Sequence, residues 1–293
     1  MTRRVVGVIG GSGVYALEAI EGAQAVAIDT PWGQPSGPVV RGRMNGVEVA
    51  FLARHGDGHR IPPGEVNYRA NIDALKRAGV TDVISVSACG SFREELAPGV
   101  FVIIDQFIDR TSGREKSFFG TGCVAHVSMA KPVCPALGGA LEASCAALAI
   151  PHHRGGTYLA IDGPHFSSLA ESLLYKSWGA DVIGMTNMPE AKLAREAELP
   201  YASVGMVTDY DCWREESAHV EVAGILDIMR RNTAAARLLV ADVVAHLGAT
   251  RSPSPLGIET TLDFAIITPL EARDPALVAK LDAVAGRAFQ KQS

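Results

Sequence analysis

The chain has 293 residues, 47% hydrophobic and 20% charged, with a formal net charge of −5. That composition is ordinary for a soluble globular protein with a sizeable core, and the negative balance argues against a nucleic-acid surface, which needs clustered Lys and Arg. The longest apolar runs, such as Val100-Phe101-Val102-Ile103-Ile104, have strand length and are too short to span a bilayer, so no membrane partner is expected.

In chain order, strand-like runs are predicted at Val5–Ile9, Val47–Leu52, Val83–Ser87, Phe101–Asp105, Tyr158–Asp162, Val182–Thr186 and Tyr201–Thr208. Helices are predicted between several of them: Asn67–Arg77, Ala136–Ala149, Ser167–Ser177, Pro189–Glu198 and a long one from about Glu216 to Leu247. Glycines break the apolar N-terminus at once, so Val5–Ile9 reads as a first strand and not as an export signal. Strands alternating with helices imply an α/β fold, a single domain with a mixed central β-sheet flanked by helices. Residues 1–248 form its body, and Ala249-Thr250-Arg251-Ser252-Pro253-Ser254-Pro255-Leu256-Gly257 marks a composition break. Residues 249–293 read as an appendage, with one helix over Asp274–Phe289. The cysteines (Cys89, Cys123, Cys134, Cys145, Cys212) are odd in number and form no CxxC pair, which suits buried thiols in a reducing cytoplasm.

Several segments carry chemistry. Gly10-Gly11-Ser12-Gly13 follows the first strand, where glycine amides and a hydroxyl can cradle a phosphate. Gly11-Ser12-Gly13-Val14-Tyr15-Ala16 also fits the loose dinucleotide pattern G-x-G-x-x-A, with Asp29 beyond it. The stretch Val14–Glu21 is short for a dinucleotide crossover helix. A phosphate contact, a nicotinamide or flavin site and a plain tight turn all stand as readings. Leu52-Ala53-Arg54-His55-Gly56-Asp57-Gly58-His59 ends a strand in a guanidinium fork and an imidazole, an anion grip. Metal ligation by His55 and His59 lacks a third ligand candidate, and loop carbonyls can equally satisfy these side chains. Ser85-Val86-Ser87-Ala88-Cys89-Gly90-Ser91 ends in small hydroxyl residues, as sites at carboxyl ends of sheet strands do. Cys89 has no assignable base and reads as a structural thiol before a nucleophile. Phe166 follows Gly163-Pro164 and can stack on a heteroaromatic ring; Met185 can lie against a sugar and Thr186 can donate to an anion, although core packing and capping account for such residues as well.

The apolar run Tyr201–Val207 leads into Thr208-Asp209-Tyr210-Asp211. Strand side chains alternate, so Asp209 and Asp211 share a face if the chain stays extended. Two close carboxyls resist being charged together. Such a pair offers a donor and an acceptor, the complement of adenine's N7 and 6-amino edge. A solvated turn or a helix-capping aspartate is the plainer reading.

Together these segments resemble the methylthioadenosine phosphorylases, a trimeric branch of the purine nucleoside phosphorylase family. The residues that carry the resemblance are Ile9-Gly10-Gly11-Ser12-Gly13, Leu52-Ala53-Arg54-His55-Gly56, Val66-Asn67-Tyr68, Ser87-Ala88-Cys89-Gly90-Ser91 and Asp105-Gln106-Phe107-Ile108-Asp109-Arg110-Thr111. Gly163-Pro164, Gly184-Met185-Thr186 and Thr208-Asp209-Tyr210-Asp211-Cys212-Trp213 complete them, and the span runs from about Val5 to about Gly248. The resemblance implies phosphorolysis of a purine nucleoside, with phosphate as co-substrate and no metal or organic cofactor. It implies phosphate binding by Ser12, Arg54, His55, Ser87 and Thr186, and nucleoside binding by Ala88, Phe166, Met185, Asp209 and Asp211. Asp209 would serve N7 and Asp211 the 6-amino group. Val222, Ile225 and Leu226 would wall the methylthio pocket, and His126 would reach a neighbouring subunit's site in a homotrimer. His165 stands where the family usually has arginine, and Gly184 where some relatives have asparagine. The alternatives are a 6-oxopurine nucleoside or methylthioinosine phosphorylase, a hydrolytic nucleosidase, a catalytically silent nucleoside-binding trimer and, further off, an NAD-binding dehydrogenase.

Overall fold

Alternate residues of the first long strand bury against opposite layers. Val5 and Ile9 join one hydrophobic cluster, and Val6 and Val8 join the other. This is the period-2 pattern of a strand covered on both faces. The computed structural model describes residues 2–11, 19–214 and 222–292, with backbone only at 222–226 and 292.

In chain order the strands and helices begin with β1 (Thr2–Arg3), β2 (Val5–Gly10), β3 (Glu21–Val26), β4 (Val39–Met44), β5 (Val47–Ala53), α1 (Tyr68–Arg77) and β6 (Asp82–Ser91). Then come β7 (Phe101–Ile104), β8 (Gln106–Asp109), α2 (Pro135–Ala147), β9 (His152–Arg154), β10 (Thr157–Ala160), α3 (Leu169–Ser177) and β11 (Val182–Gly184). The chain ends with α4 (Asn187–Glu196), β12 (Tyr201–Tyr210), α5 (Val222–Leu247), β13 (Thr250–Arg251), α6 (Pro275–Lys280) and α7 (Asp282–Gln292).

One mixed sheet runs β3-β4-β5-β2-β6-β11-β10-β8, and it branches at β6, which also pairs with β12; β7 and β9 follow on that branch. The β2·β5, β2·β6 and β12·β6 pairs are parallel. β11 meets only the last two residues of β6, Gly90 and Ser91, and does so antiparallel. β6 is therefore the spine: β2 and β12 flank it, and its carboxyl end opens between β11 and β12. Helices α1, α4 and α7 cover one face through Ile72, Leu75, Leu193, Ala194, Val284 and Ala288. Helices α2 and α5 cover the other through Leu137, Leu141, Leu239 and Val243.

The seven expected strands and five expected helices of the body are present, with shifted ends. Asn67 and Ser168 cap α1 and α3 from outside the helices; Asn67 accepts from Ala70 N at 3.0 Å, and Ser168 forms a capping box with Glu171. The expected start of the long helix near Glu216 falls outside the described residues. The single tail helix over Asp274–Phe289 is corrected to two. Asp274 caps α6 and its amide bonds to Gly122 O, whereas α7 turns to lie on α1, with Leu281 fully buried at the bend. Each half of that segment has a different surface to cover.

Two short strands bear on the dinucleotide reading. β2 ends at Gly10 and β3 begins at Glu21. β3 enters the sheet next to β4 in an antiparallel pair, not as the parallel strand that a nicotinamide-binding βαβ unit requires.

Candidate active site

The branch at the end of β6 encloses a cavity of about 500 Å³. Arg54, His55, Ser87, Ala88, Phe166, Met185, Thr186, Asp209 and Asp211 all line it. These come from the end of β5, β6, the loop before α3, the β11–α4 junction and the end of β12. Four residue steps along β6 separate Val86, whose carbonyl accepts from Arg54 Nη1, from Gly90, beside Asp209. At strand rise that is about 13 Å, so the anion-type and acid-type groups mark two ends of an elongated site.

At the first end Arg54 is 1% exposed. Burial opposes its charge, and the Glu190 carboxylate overcomes that cost, which holds the guanidinium above the ordinary arginine range. His55 Nδ1 bonds to Ile61 O at 2.9 Å, so the ring is held with Nδ1–H toward the carbonyl and bare Nε2 on the other side. Burial and then the Arg54 charge lower its pKa to about 4, leaving it neutral at pH 7. His59 stacks on it with ring centroids 4.2 Å apart. The Ser87 hydroxyl donates to Asn187 Oδ1 at 3.0 Å, and Thr186 Oγ1 lies 3.4 Å from the same oxygen. Asn187 is fully buried and donates in turn to Ser203, so it ties both hydroxyls to the sheet.

At the second end a bulge in β12 sets the acids. The register against β6 slips between Val207 and Asp209, leaving Thr208 as the extra residue. A Cβ placed on Gly90 would lie 3.3 Å from Asp209 Oδ2 and 3.6 Å from Asp211 Cβ, so both acids converge on the bare backbone of Gly90. Burial raises the Asp209 pKa, and the Thr208 hydroxyl, 2.6 Å from Oδ1, opposes the shift. Burial also raises Asp211; the neighbouring Ser172 hydroxyl lowers it and the Asp209 charge adds to the rise. Asp211 Oδ2 is buried with no hydrogen-bond partner among the described residues. The pair can thus supply a proton and an acceptor to one ligand edge.

Between the ends, Gly163 has φ +68°, and a Cβ there would overlap Met185 Sδ, so the Gly163-Pro164 turn and Met185 pack backbone to side chain. Phe166 stands 81% exposed at the cavity mouth.

Some expected site residues lie elsewhere. Ser12 is outside the described residues. Val222, Ile225 and Leu226 open α5, with their side chains outside the described residues. His126 is exposed and does not line this chain's cavity. His165 is also exposed and outside the lining. Gly184 leaves no gap, because the Tyr158 ring fills the space of a side chain there. Residues the sequence reading missed include Glu190, Asn187 and Arg114, all more than nine-tenths buried. Glu190 meets Arg54, Asn187 meets Ser87 and Arg114 meets Met185 across more than seventy residues of chain, and no local motif announces them.

The sequence model described as the phosphorylase superfamily matches residues 5–245. The chain is 58% identical to the S-methyl-5'-thioadenosine phosphorylase of Cereibacter sphaeroides over 98% of its length and 99% of that protein. It is 56% identical to the same-named protein of Bradyrhizobium diazoefficiens over 99% of its length and 100% of that protein. Among solved structures, a methylthioadenosine phosphorylase from an antarctic soil metagenomic library superimposes with TM-score 0.91 at 44% identity, covering 97% of this chain and 99% of that one. The Schistosoma mansoni methylthioadenosine phosphorylase in complex with adenine gives TM-score 0.83 at 36% identity, covering 93% and 99%. With a sheet that branches at β6, a cavity where it opens and a match through most of its length, the chain belongs to the phosphorylase superfamily.

Proposed function

We propose that the chain cleaves 5'-methylthioadenosine with phosphate, releasing adenine and 5-methylthioribose 1-phosphate, a salvage reaction for methionine and purine. The observation that carries this reading is the convergence of Asp209 and Asp211 on Gly90 in the cavity that also holds Arg54 and His55. Phosphate sits at Arg54, His55, Ser87 and Thr186, with Ser12 completing the cradle. Met185 lies under the ribose, Ala88 and Phe166 flank the purine, Asp209 faces N7 and Asp211 the 6-amino group. Met229 and Thr233 line the cavity from α5. Val222, Ile225 and Leu226 precede Met229 at helical spacing, the arrangement of a continuous apolar wall for the methylthio group.

As the glycosidic bond breaks, positive charge develops on the sugar, and phosphate at its C1' both stabilises that charge and attacks. Protonation at N7 by Asp209 makes the purine a better leaving group. No metal or organic cofactor takes part. An Asp211 carboxylate accepts from a 6-amino group and repels a 6-oxo oxygen, which favours a 6-amino purine over a 6-oxo purine.

The chain works as a homotrimer in the cytoplasm. Leu169, Leu173, Leu174 and Trp178 leave α3 with an exposed apolar face beside the cavity mouth. A second apolar set, Phe264 (94% exposed) and Ile267, flanks Ala265, whose carbonyl accepts from His126 N. Two unlike patches that meet head to tail with a rotation of about 120° close a three-membered ring, and that contact would carry His126 to the neighbour's cavity. Among the described residues no helix is long and apolar enough to cross a membrane.

Incubation with methylthioadenosine, with and without phosphate, beside adenosine, inosine and methylthioinosine tests the reading. Adenine release from methylthioadenosine that depends on phosphate is expected; equal release without phosphate would overturn it in favour of hydrolysis.

A further inference from the structure

Glu190 has no place in the reaction as described, yet it is 2% exposed and accepts from four donors. Arg54 Nε reaches Oε2 at 2.8 Å, and Arg54 Nη2, Ser85 Oγ and Tyr201 OH reach Oε1 at 3.2, 2.6 and 2.9 Å. The Ser85 hydroxyl also accepts from Arg54 Nη2 at 2.6 Å, and Arg54 Nη1 donates to Val86 O at 3.1 Å. Of the five guanidinium N–H groups, a single Nη1 proton is left without an acceptor among the described residues. The cation that should grip phosphate is thus already neutralised inside the protein. His55 is neutral as well, and Ser87 and Thr186 carry no charge. The described groups at the phosphate end therefore sum to no net charge.

A bare arginine would bind phosphate tightly before reaction and would cancel the negative charge that the developing ribosyl cation needs. Binding that is equal in ground and transition states does not raise turnover. We propose that Glu190, acting through Arg54, is a positioning residue that neutralises the phosphate subsite, weakening phosphate binding in the resting complex and leaving the phosphate's charge to stabilise the sugar cation. This rests on the assignment of phosphate to Arg54.

The test is Glu190→Gln in the full chain, with inorganic phosphate affinity measured by titration calorimetry without nucleoside and kcat measured at saturating phosphate. Phosphate is expected to bind about tenfold tighter while kcat falls about tenfold, the opposite signs that mark a charge effect. A residue that only shapes the site would lose phosphate affinity and turnover together, and unchanged or weaker phosphate binding overturns the proposal. Glu190→Asp keeps the charge on a shorter arm that loosens the pair. It should move both quantities in the same directions by about threefold, and it decides the matter if Glu190→Gln does not fold. A wild-type chain active without phosphate would break the phosphorolysis reading itself; phosphate dependence in the wild type with no tightening in the variant breaks this inference alone.

Discussion

Tyr158 occupies the space that a side chain on Gly184 would need. A Cβ at Gly184 would overlap the Tyr158 hydroxyl and lie 2.6 Å from Cζ. The ring is fully buried, and its hydroxyl approaches Thr186 N at 3.4 Å, so it cannot swing away cheaply. Gly184→Ala should therefore destabilise the fold by about 1–3 kcal/mol, the usual cost of overpacking a tight core. Denaturant unfolding of the variant checks this; a loss under about 0.5 kcal/mol would mean that the ring yields.

Arg114 fastens the segment at Ile161-Asp162 to the segment from Met185 to Met188, the two that would flank the proposed nucleoside. Its guanidinium donates to Asp162 O, Met185 O and Met188 O at 2.8, 2.7 and 2.7 Å, to Ile161 O at 3.3 Å, and to Tyr68 OH at 3.2 Å. Lysine has three donors and no planar fork, so it cannot span these acceptors. Arg114→Lys should raise KM for the nucleoside about tenfold or more through the loosened Met185 loop, with phosphate affinity changed less than threefold. Steady-state kinetics with each substrate varied in turn separates the two effects.

The fold was largely legible because its strands and helices are set by local period and by caps that stand next to what they cap. Val5–Ile9 is an apolar run closed by glycines, Asn67 and the serine pair Ser167-Ser168 stand at the starts of α1 and α3, and β6 ends in small residues where the sheet opens. Short strands such as β8 and β9 were not legible, since three or four residues carry too little pattern. At the site, Arg54 and Asp209 could be picked out by their residue type at strand ends. Glu190 could not: its sequence neighbours describe a helix start, and its partners Arg54 and Ser85 are more than a hundred residues away. The bulge at Thr208 was likewise invisible, because it is a property of the pairing with β6 and not of β12 alone.

Glu196 gives the fold a pH dependence. It is buried, accepting from Ser117 Oγ and Phe118 N at 2.7 Å each. Burial raises its pKa from 4.5 to about 7 against those bonds. The folded state then binds a proton more tightly than the unfolded chain. The resulting stability is fully present below about pH 4.5 and is lost as pH rises to about 7. The contribution is on the order of 3 kcal/mol. Glu196→Gln keeps an acceptor for Phe118 and removes the titration. Its unfolding free energy should change less between pH 5 and 7 than the wild type's, read by urea melts at each pH; equal slopes would refute the assignment.

The proposed trimer would hang on the exposed face of α3. Leu173 is 51% exposed in the single chain, and an ionised side chain there would be buried at the proposed contact. Leu173→Glu should shift the sedimentation coefficient to that of a monomer while leaving the circular dichroism spectrum unchanged, since the site is solvent-facing within one chain. Because His126 would no longer reach the neighbouring cavity, kcat/KM for methylthioadenosine should fall with it. A variant that stays trimeric, or a wild type that sediments as a monomer, would discard this interface.

Asp209 and Asp211 should separate in their effects because their surroundings differ. Asp209 keeps Thr208 on one oxygen and offers the other beside Gly90, and its raised pKa keeps it protonated above the ordinary value of 3.8. In the proposed mechanism it donates a proton to N7 and is needed protonated, so kcat should fall as pH rises through its pKa. Asp209→Ala should lower kcat by about 10²–10⁴ with phosphate affinity unchanged, and that basic limb should vanish. Asp211, beside the Ser172 hydroxyl, instead presents an acceptor that a 6-amino group satisfies and a 6-oxo group does not. Asp211→Asn supplies an N–H in its place. The ratio of kcat/KM for methylthioinosine to that for methylthioadenosine should then rise by about 10- to 100-fold. If the ratio stays fixed while both rates fall, Asp211 supports the site's shape and does not read the purine's sixth position.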